Sequence, residues 1–288
     1  MHYDAFSKRH PLVNFIFFMG AIGCTVVIQH PAYIAAGCVC AAAYLMMLSR
    51  KAWKLVLGLI PVFVFISGVN PLFNDYGQRV LFTLFGRPYT LEALLYGMAI
   101  AGIFVSMLLW IGCYSRVLTS DKFVALFGGL IPALSLLLVM VLRMIPDLIR
   151  KCRQILASRG SIGKGAGADS SPKEKLRDGV SILSALTDWA LEGSIITADS
   201  MRSRGYGSGK RTNFRLYRMT GTDWALLLFM GALIGITLTA GGTEAAYTPE
   251  LSIARPTPGL VTYVIFLLIP IVMQIKEMIQ WHICVSRI

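Results

Sequence analysis

The sequence predicts an all-α integral membrane protein with about six transmembrane helices and a cytoplasmic domain of long helices. Hydrophobic residues fill 56% of its 288 positions and charged residues only 15%, which lies outside the range of soluble globular domains. Residues 143–218 carry fifteen Lys and Arg against seven acidic residues, a net charge of +8. Basic segments beside apolar runs mark the cytoplasmic side of a membrane, so the overall excess of +12 does not indicate a nucleic-acid partner.

Six apolar runs have the length and composition of membrane-crossing helices, which need about 20 mostly apolar residues. Four precede the basic block and two follow it, at 12–29, 32–48, 55–70, 91–113, 223–240 and 259–275. The chain therefore divides into an N-terminal membrane part (1–114), a cytoplasmic domain (115–218) and a C-terminal membrane part (219–288). His30-Pro31 predicts a tight hairpin between the first two helices, because proline can open a helix but not continue one.

The segment 123–144 is also apolar, but a span there would export the whole basic block against the charge rule. We expect it instead to form part of a long helix on the cytoplasmic side, opened by Pro132, kinked by Pro146 and ended at Gly160. This topology has six spans and places both chain termini in the cytoplasm.

A second long helix is predicted to begin at Ser171-Pro172, with Glu174 completing a capping box, and to end at Arg204-Gly205. One narrow stripe of apolar and small residues repeats along it at helical spacing: Leu176, Val180, Leu183, Thr187, Ala190, Ser194 and Ala198. Such a stripe suits close crossing with another helix. The sequence contains no strand signal strong enough to matter, and Gly231 with Gly235 predicts a face for close helix approach.

The chain lacks the groups that drive transport on their own. Among its acidic residues, Glu92 and Asp223 lie only at span ends, whereas ion-coupled transporters carry such groups near mid-membrane. Gly163-Lys164 and Gly209-Lys210 do not match a phosphate-binding loop, and the cysteines and histidines are dispersed. We therefore predict no cofactor, no metal site and no catalysis by this chain, so that energy for transport would come from a partner.

Two alternatives stay open at this point. Asp188 and Glu192 are four residues apart on one helix face, with Asp199 further along, and clustered carboxylates could hold Mg²⁺ in a membrane-embedded transferase acting on a diphosphate lipid. Ordinary ion pairing on a helix surface is the favoured interpretation of these residues. A passive carrier or pore is the other alternative.

The basic block contains one short signature twice, Ser158-Arg159-Gly160 and Ser203-Arg204-Gly205. An arginine before a glycine is an ordinary helix end, because the cation favours the C-terminal dipole and glycine accepts the left-handed conformation. The repetition, each time at the predicted end of a long cytoplasmic helix, fits two arginines presented to acidic grooves of partner proteins.

At these residues the chain resembles the transmembrane T component of energy-coupling factor transporters, importers of vitamins and metal ions. The resemblance covers residues 115–218 and rests on Leu142-Arg143-Met144-Ile145-Pro146, on Ala157 to Gly160, and on Ala198 to Gly207 with Lys210-Arg211-Thr212. The family usually has Ala-Arg-Gly where both motifs here have Ser-Arg-Gly.

The resemblance implies an L-shaped protein in a prokaryotic plasma membrane, with a coupling domain of crossed helices. Each Ser-Arg-Gly motif would enter a groove on one of two ATPase subunits, which form a homodimer or heterodimer. The apolar faces of the coupling helices would hold a substrate-binding S component, and ATP-driven closure of the ATPases would tilt it. Arg143, Pro146 and Asp199 would be structural residues of the coupling domain, and lipid would surround the spans.

Overall fold

The computed structural model of the chain describes residues 5–49, 51–74, 80–84, 87–127, 132–163, 171–209, 217–240, 245–246, 252–253 and 257–285. Helices dominate these ranges, which confirms the predicted all-α membrane fold. The helices are α1 Pro11–Val27, α2 Pro31–Leu48, α3 Ala52–Phe73, α4 Leu91–Val117, α5 Ser120–Phe127, α6 Pro132–Ser161, α7 Pro172–Ser203, α8 Gly221–Thr239 and α9 Pro258–Val285.

Each of the six predicted apolar runs forms a helix. Five of these helices, α2, α3, α4, α8 and α9, are long and apolar enough to cross a membrane, whereas α1 is apolar but has only 17 residues. The hairpin predicted at His30-Pro31 is present, since Pro31 opens α2 and the His30 Nδ1 accepts the Ala32 amide at 3.2 Å. The protein is therefore a membrane protein built from helices that begin where the sequence places their caps.

Two short antiparallel hairpins accompany the helices in the described residues. β1 (Val80–Leu84) pairs with β2 (Arg87–Thr90), and β3 (Ala245–Ala246) pairs with β4 (Ser252–Ile253). They lie in the connections between α3 and α4 and between α8 and α9. Apolar runs this short give no periodicity that separates strand from loop, which is why the sequence did not reveal them.

The chain folds as two compact units. The membrane unit comprises Met1–Phe123 and Tyr217–Ile288, and the α6–α7 unit comprises Val124–Leu216. The second unit begins at Val124, whereas the sequence analysis placed the boundary at residue 115. Within the apolar segment 123–144, α5 ends at Phe127 and α6 begins at Pro132, and residues 128–131 lie outside the described residues.

The core of the membrane unit is an aromatic cluster where α1, α4 and α9 meet. Phe17 lies 5.0 Å from Phe266 and 5.8 Å from Trp110 between ring centroids, and all three side chains are buried. The Phe17–Trp110 contact is edge-to-face, a geometry that stabilises a core beyond the burial of apolar area. The cluster fixes α1 against the two long helices on either side.

Small residues allow the membrane helices to approach closely, but not where the sequence predicted. A Cβ on Gly102 would lie 2.6 Å from Ile34 Cγ2, and one on Gly97 would lie 2.9 Å from the Ser67 carbonyl oxygen. At Gly231 and Gly235 an added Cβ would meet no atom of the described residues within 4 Å. The predicted close-approach face on α8 is therefore unused within the described part of the chain.

Candidate functional site

The first Ser-Arg-Gly motif lies in the last turn of α6. The helix begins at Pro132, as predicted, but continues through Gly160 to Ser161. Gly163, with φ of +66°, is the residue that takes the left-handed conformation, and its amide donates to the Gly160 carbonyl at 3.2 Å. The motif therefore lies in the last turn of α6, as predicted, although Gly163 rather than Gly160 takes the left-handed conformation after the helix.

The second motif ends α7 as predicted. Arg204 is the C-cap residue and Gly205 has a φ of +79°. The Gly205 amide donates to the Arg202 carbonyl at 3.0 Å, and the Tyr206 amide donates to the Met201 carbonyl at 3.0 Å. This pair of bonds is the Schellman motif, which satisfies the last carbonyls of a helix and fixes the direction in which the chain leaves it.

The start of α7 also matches its sequence signal. Ser171 Oγ accepts the Glu174 amide at 3.3 Å, and the Glu174 carboxylate accepts the Ser171 amide at 2.9 Å. This reciprocal capping box, with Pro172 in the first helical position, fixes the N-terminus of a 32-residue helix. Residues 164–170 before it and residues 210–216 after it, which include Lys210-Arg211-Thr212, lie outside the described residues.

The two motif arginines have different environments. Arg204 is exposed and, in the described part of the chain, has no ion-pair partner. Arg159 is only 24% exposed, and its Nη2 lies 2.8 Å from Asp178 Oδ1. Its Nη1 donates to Ser181 Oγ, also at 2.8 Å. The repeated motif predicts that both arginines are presented to partner proteins. Arg159 differs from this prediction because α7 lies beside it and binds its side chain.

The Arg159 contacts belong to an antiparallel seam between α6 and α7. Towards the other end of the seam, Lys151 Nζ lies 5.8 Å from the centroid of the Trp189 ring. Arg159 follows Lys151 in α6, whereas its partner Asp178 precedes Trp189 in α7. The two helices therefore run in opposite directions. A cation over an indole ring and a charged pair with a hydroxyl partner therefore join the helices.

The face of α7 that lies half-buried is not the predicted stripe. The half-buried residues are mostly three or four apart and comprise Asp178, Ile182, Leu186, Trp189, Ala190, Gly193 and Met201, of which only Ala190 belongs to the predicted stripe. Of the predicted stripe, Leu176, Val180 and Leu183 are instead 59–71% exposed. Apolar residues occur on more than one side of this helix, so periodicity alone did not distinguish the face that packs from the face that stays open.

The open surface of the α6–α7 unit is strongly apolar. α7 has no buried residue along its 32 positions, although it carries many large apolar side chains. The exposed ones on α7 are Leu176, Val180, Leu183, Leu191, Ile195 and Ile196, and those on α6 are Leu137, Val139, Val141, Met144, Ile145, Ile149 and Leu156. A continuous apolar surface of this kind indicates that lipid or another protein covers it.

The remaining motif residues have only local contacts. The Ser158 hydroxyl donates to the Gln154 carbonyl at 3.0 Å, and the Ser203 hydroxyl donates to the Ser200 carbonyl at 2.9 Å. A Cβ on Gly160 would meet no described atom within 4 Å, and its backbone is helical. Neither conformation nor space within the described chain requires glycine at position 160.

The three residues expected to be structural lie on the surface of the two helices. Pro146 is inside α6, and Arg143, Pro146 and Asp199 are all exposed. Their side chains therefore add little to the packing of the unit. An intrahelical ion pair between Asp147 and Arg150, which the sequence analysis did not identify, lies next to Pro146.

The residues of the enzyme alternative do not form a metal site in the described ranges. Asp188, Glu192 and Asp199 are exposed on α7. Across the described chain, no group of three or more His, Cys, Asp or Glu side chains is placed to hold a metal ion. The geometry of these carboxylates is that of a solvated helix surface.

Comparison of the chain with models of protein families and with curated proteins finds no match. Three features of the α6–α7 unit bear on its function: one exposed arginine on a rigid helix end, one arginine held by Asp178, and many exposed apolar side chains. Asp178 and Ser181 gave no signal in the sequence, because their role depends on which face of α7 meets α6.

Proposed function

We propose that the chain is the transmembrane energy-coupling scaffold of an importer of the energy-coupling factor type. In this role it transmits motion from two ATPase subunits to a substrate-binding S component and so supports uptake of a vitamin or metal ion. The chain itself hydrolyses no ATP. It lies in a prokaryotic plasma membrane with both termini in the cytoplasm.

The observation that carries the proposal is the surface of α7. A 32-residue helix without a buried residue, exposing six large apolar side chains, cannot be explained by packing within the described chain. Burial of apolar area is the main source of affinity in stable interfaces. A helix of this kind is therefore suited to be covered by another subunit, which in the proposal is the S component.

Arg204 supports the attachment to an ATPase. It stands on a helix end whose direction is fixed by two backbone hydrogen bonds and by the left-handed Gly205. A guanidinium on such a rigid support loses little conformational entropy on binding, and its fork matches carboxylate or carbonyl oxygens. Arg159 would bind the second ATPase subunit. To do so, its guanidinium would leave Asp178 and pair with an acceptor on that subunit.

The test is whether the full-length chain associates with a pair of ATPase subunits of this type when they are produced together. We expect Arg159→Glu combined with Arg204→Glu to leave the protein inserted in the membrane but to abolish co-purification of the ATPases. Arg202→Glu is the matched control, because Arg202 is exposed on the same last turn of α7 and lies outside both motifs. Association of the double variant at the wild-type level contradicts the proposal, as does equal loss in the control.

A further inference from the structure

The segment before α1 connects three helices of the membrane unit. We name residues Ala5 to His10 the N-terminal clip. The Ala5 amide donates to Gln274 Oε1 at 2.8 Å, and Lys8 pairs with Glu277, so that the clip is attached to α9. Its other contacts, through Ser7 and Arg9, reach the start of α5 and the start of α8.

The contact with α5 depends on a buried lysine. Lys122 is only 7% exposed, and its Nζ donates to the carbonyl and the hydroxyl of Ser7 and to the Val117 carbonyl. The Val117 carbonyl belongs to the last turn of α4, where a cation is favoured by the helix dipole. Removing water from an ammonium group is costly unless acceptors replace it, and here three oxygens do so.

The contact with α8 depends on an arginine and a buried carboxylate. Arg9 Nη1 donates to Thr222 Oγ1 at 3.0 Å and lies 3.5 Å from Asp223 Oδ1. The Asp223 side chain is only 5% exposed, and its Oδ2 accepts the Thr220 amide at 3.1 Å. Asp223 therefore caps α8 and holds Arg9 at the same time.

These two contacts flank the α6–α7 unit in the sequence. The chain leaves the membrane unit after Phe123 and returns to it at Tyr217. Lys122 lies just before the chain leaves the membrane unit, and Asp223 lies shortly after the chain returns to it. Ser7 contacts Lys122 and Arg9 contacts Asp223, and these two clip residues are only two positions apart. The clip thus joins the two points where the chain leaves the membrane unit and returns to it. We call these two points, residues 117–127 and 217–228, the chain crossings.

From this arrangement we infer that the N-terminal clip couples the two chain crossings mechanically, so that a displacement at one crossing is transmitted to the other. The clip adds to the packing of α1 against α4 and α8 a set of polar contacts placed at the crossings themselves. In the scaffold role, on which this consequence rests, the clip would combine two inputs into one motion of the membrane unit. The coupling itself is a property of the chain alone and needs no partner to be measured.

Amide hydrogen exchange of the full-length chain in lipid nanodiscs tests the inference. Lys122→Met removes the buried ammonium but keeps an apolar side chain, and exchange is then read at the distant crossing, residues 217–228. Arg9→Gln is read in the opposite direction, at residues 117–127. We expect exchange at the distant crossing to become faster by roughly tenfold in each case, because loss of one anchor increases local opening at the other.

Two exposed residues serve as matched controls. Lys276→Met and Arg116→Gln make the same chemical changes on the neighbouring helices α9 and α4, at side chains that face away from the buried contacts. We expect both to leave exchange at both crossings unchanged. If Lys122→Met does not yield folded protein, Arg9→Gln alone decides, since that side chain is partly exposed and its loss is milder. Faster exchange confined to the mutated crossing overturns the inference.

Discussion

Replacing each motif glycine with alanine should change stability in opposite directions. Gly205 has a φ of +79°, and an added Cβ would also lie 3.2 Å from Ser208 Oγ. An L-residue in the left-handed region costs about 1–2 kcal/mol. Gly160 is helical and has open space around it, so alanine should stabilise α6 by about 0.5–1 kcal/mol.

Amide exchange on the full-length chain resolves the two effects, because each is local to one helix end. For Gly205→Ala we expect exchange in residues 200–209 to accelerate by roughly 5-fold to 30-fold, as a cost of one to two kcal/mol implies. For Gly160→Ala we expect exchange in residues 155–163 to slow by a few fold. Faster amide exchange around both glycines would refute the helical conformation of Gly160 and would indicate that this residue ends the helix.

The same variant separates stability from partner binding. Since nothing in the described chain requires glycine at 160, we attribute this residue to close approach of an ATPase subunit. Gly160→Ala should therefore weaken co-purification of the ATPases while it stabilises α6. Unchanged association together with slower exchange would show that Gly160 has no part in binding.

Two further predictions concern the helix seams. Asp178→Asn should cost the unit no more than about 1 kcal/mol, because the pair with Arg159 is partly solvated, and it should strengthen ATPase association by releasing the guanidinium. An affinity measurement with exposed Asp188→Asn as control checks this, and weaker binding would mean that Asp178 positions Arg159 for its partner instead. Gly102→Ala should destabilise the membrane unit by about 1–3 kcal/mol, since the new methyl group would overlap Ile34. A lower midpoint of thermal unfolding is expected, and Gly23→Ala, where a Cβ meets no described atom within 4 Å, should leave it unchanged.

Local chemistry explains which parts of the fold the sequence could predict. Pro31, Pro132 and the Ser171 capping box act within one helical turn, and the helices begin at those signals. Gly205 ends α7 for the same reason. Such caps can be predicted from the sequence because their hydrogen bonds join residues that are close in the chain.

The parts that the sequence could not predict depend on competition or on distance. Gly160 and Gly163 both offered a stop for α6, and only the folded chain reveals that Gly163 is used. Which side of α7 packs depends on α6, so Asp178 could not be assigned to Arg159 in advance. Lys122 and Ser7 are 115 positions apart, and no pattern in the sequence links them.

The exposed apolar side chains of α7 affect how the cell treats the protein before it assembles. A newly made copy that has not yet met its companions displays leucine and isoleucine side chains of the kind that chaperones and proteases recognise. Unassembled copies would be removed, and the cell would retain about as many as the companion subunits can accommodate. In the proposed assembly, degradation of surplus copies would then set the stoichiometry of the subunits.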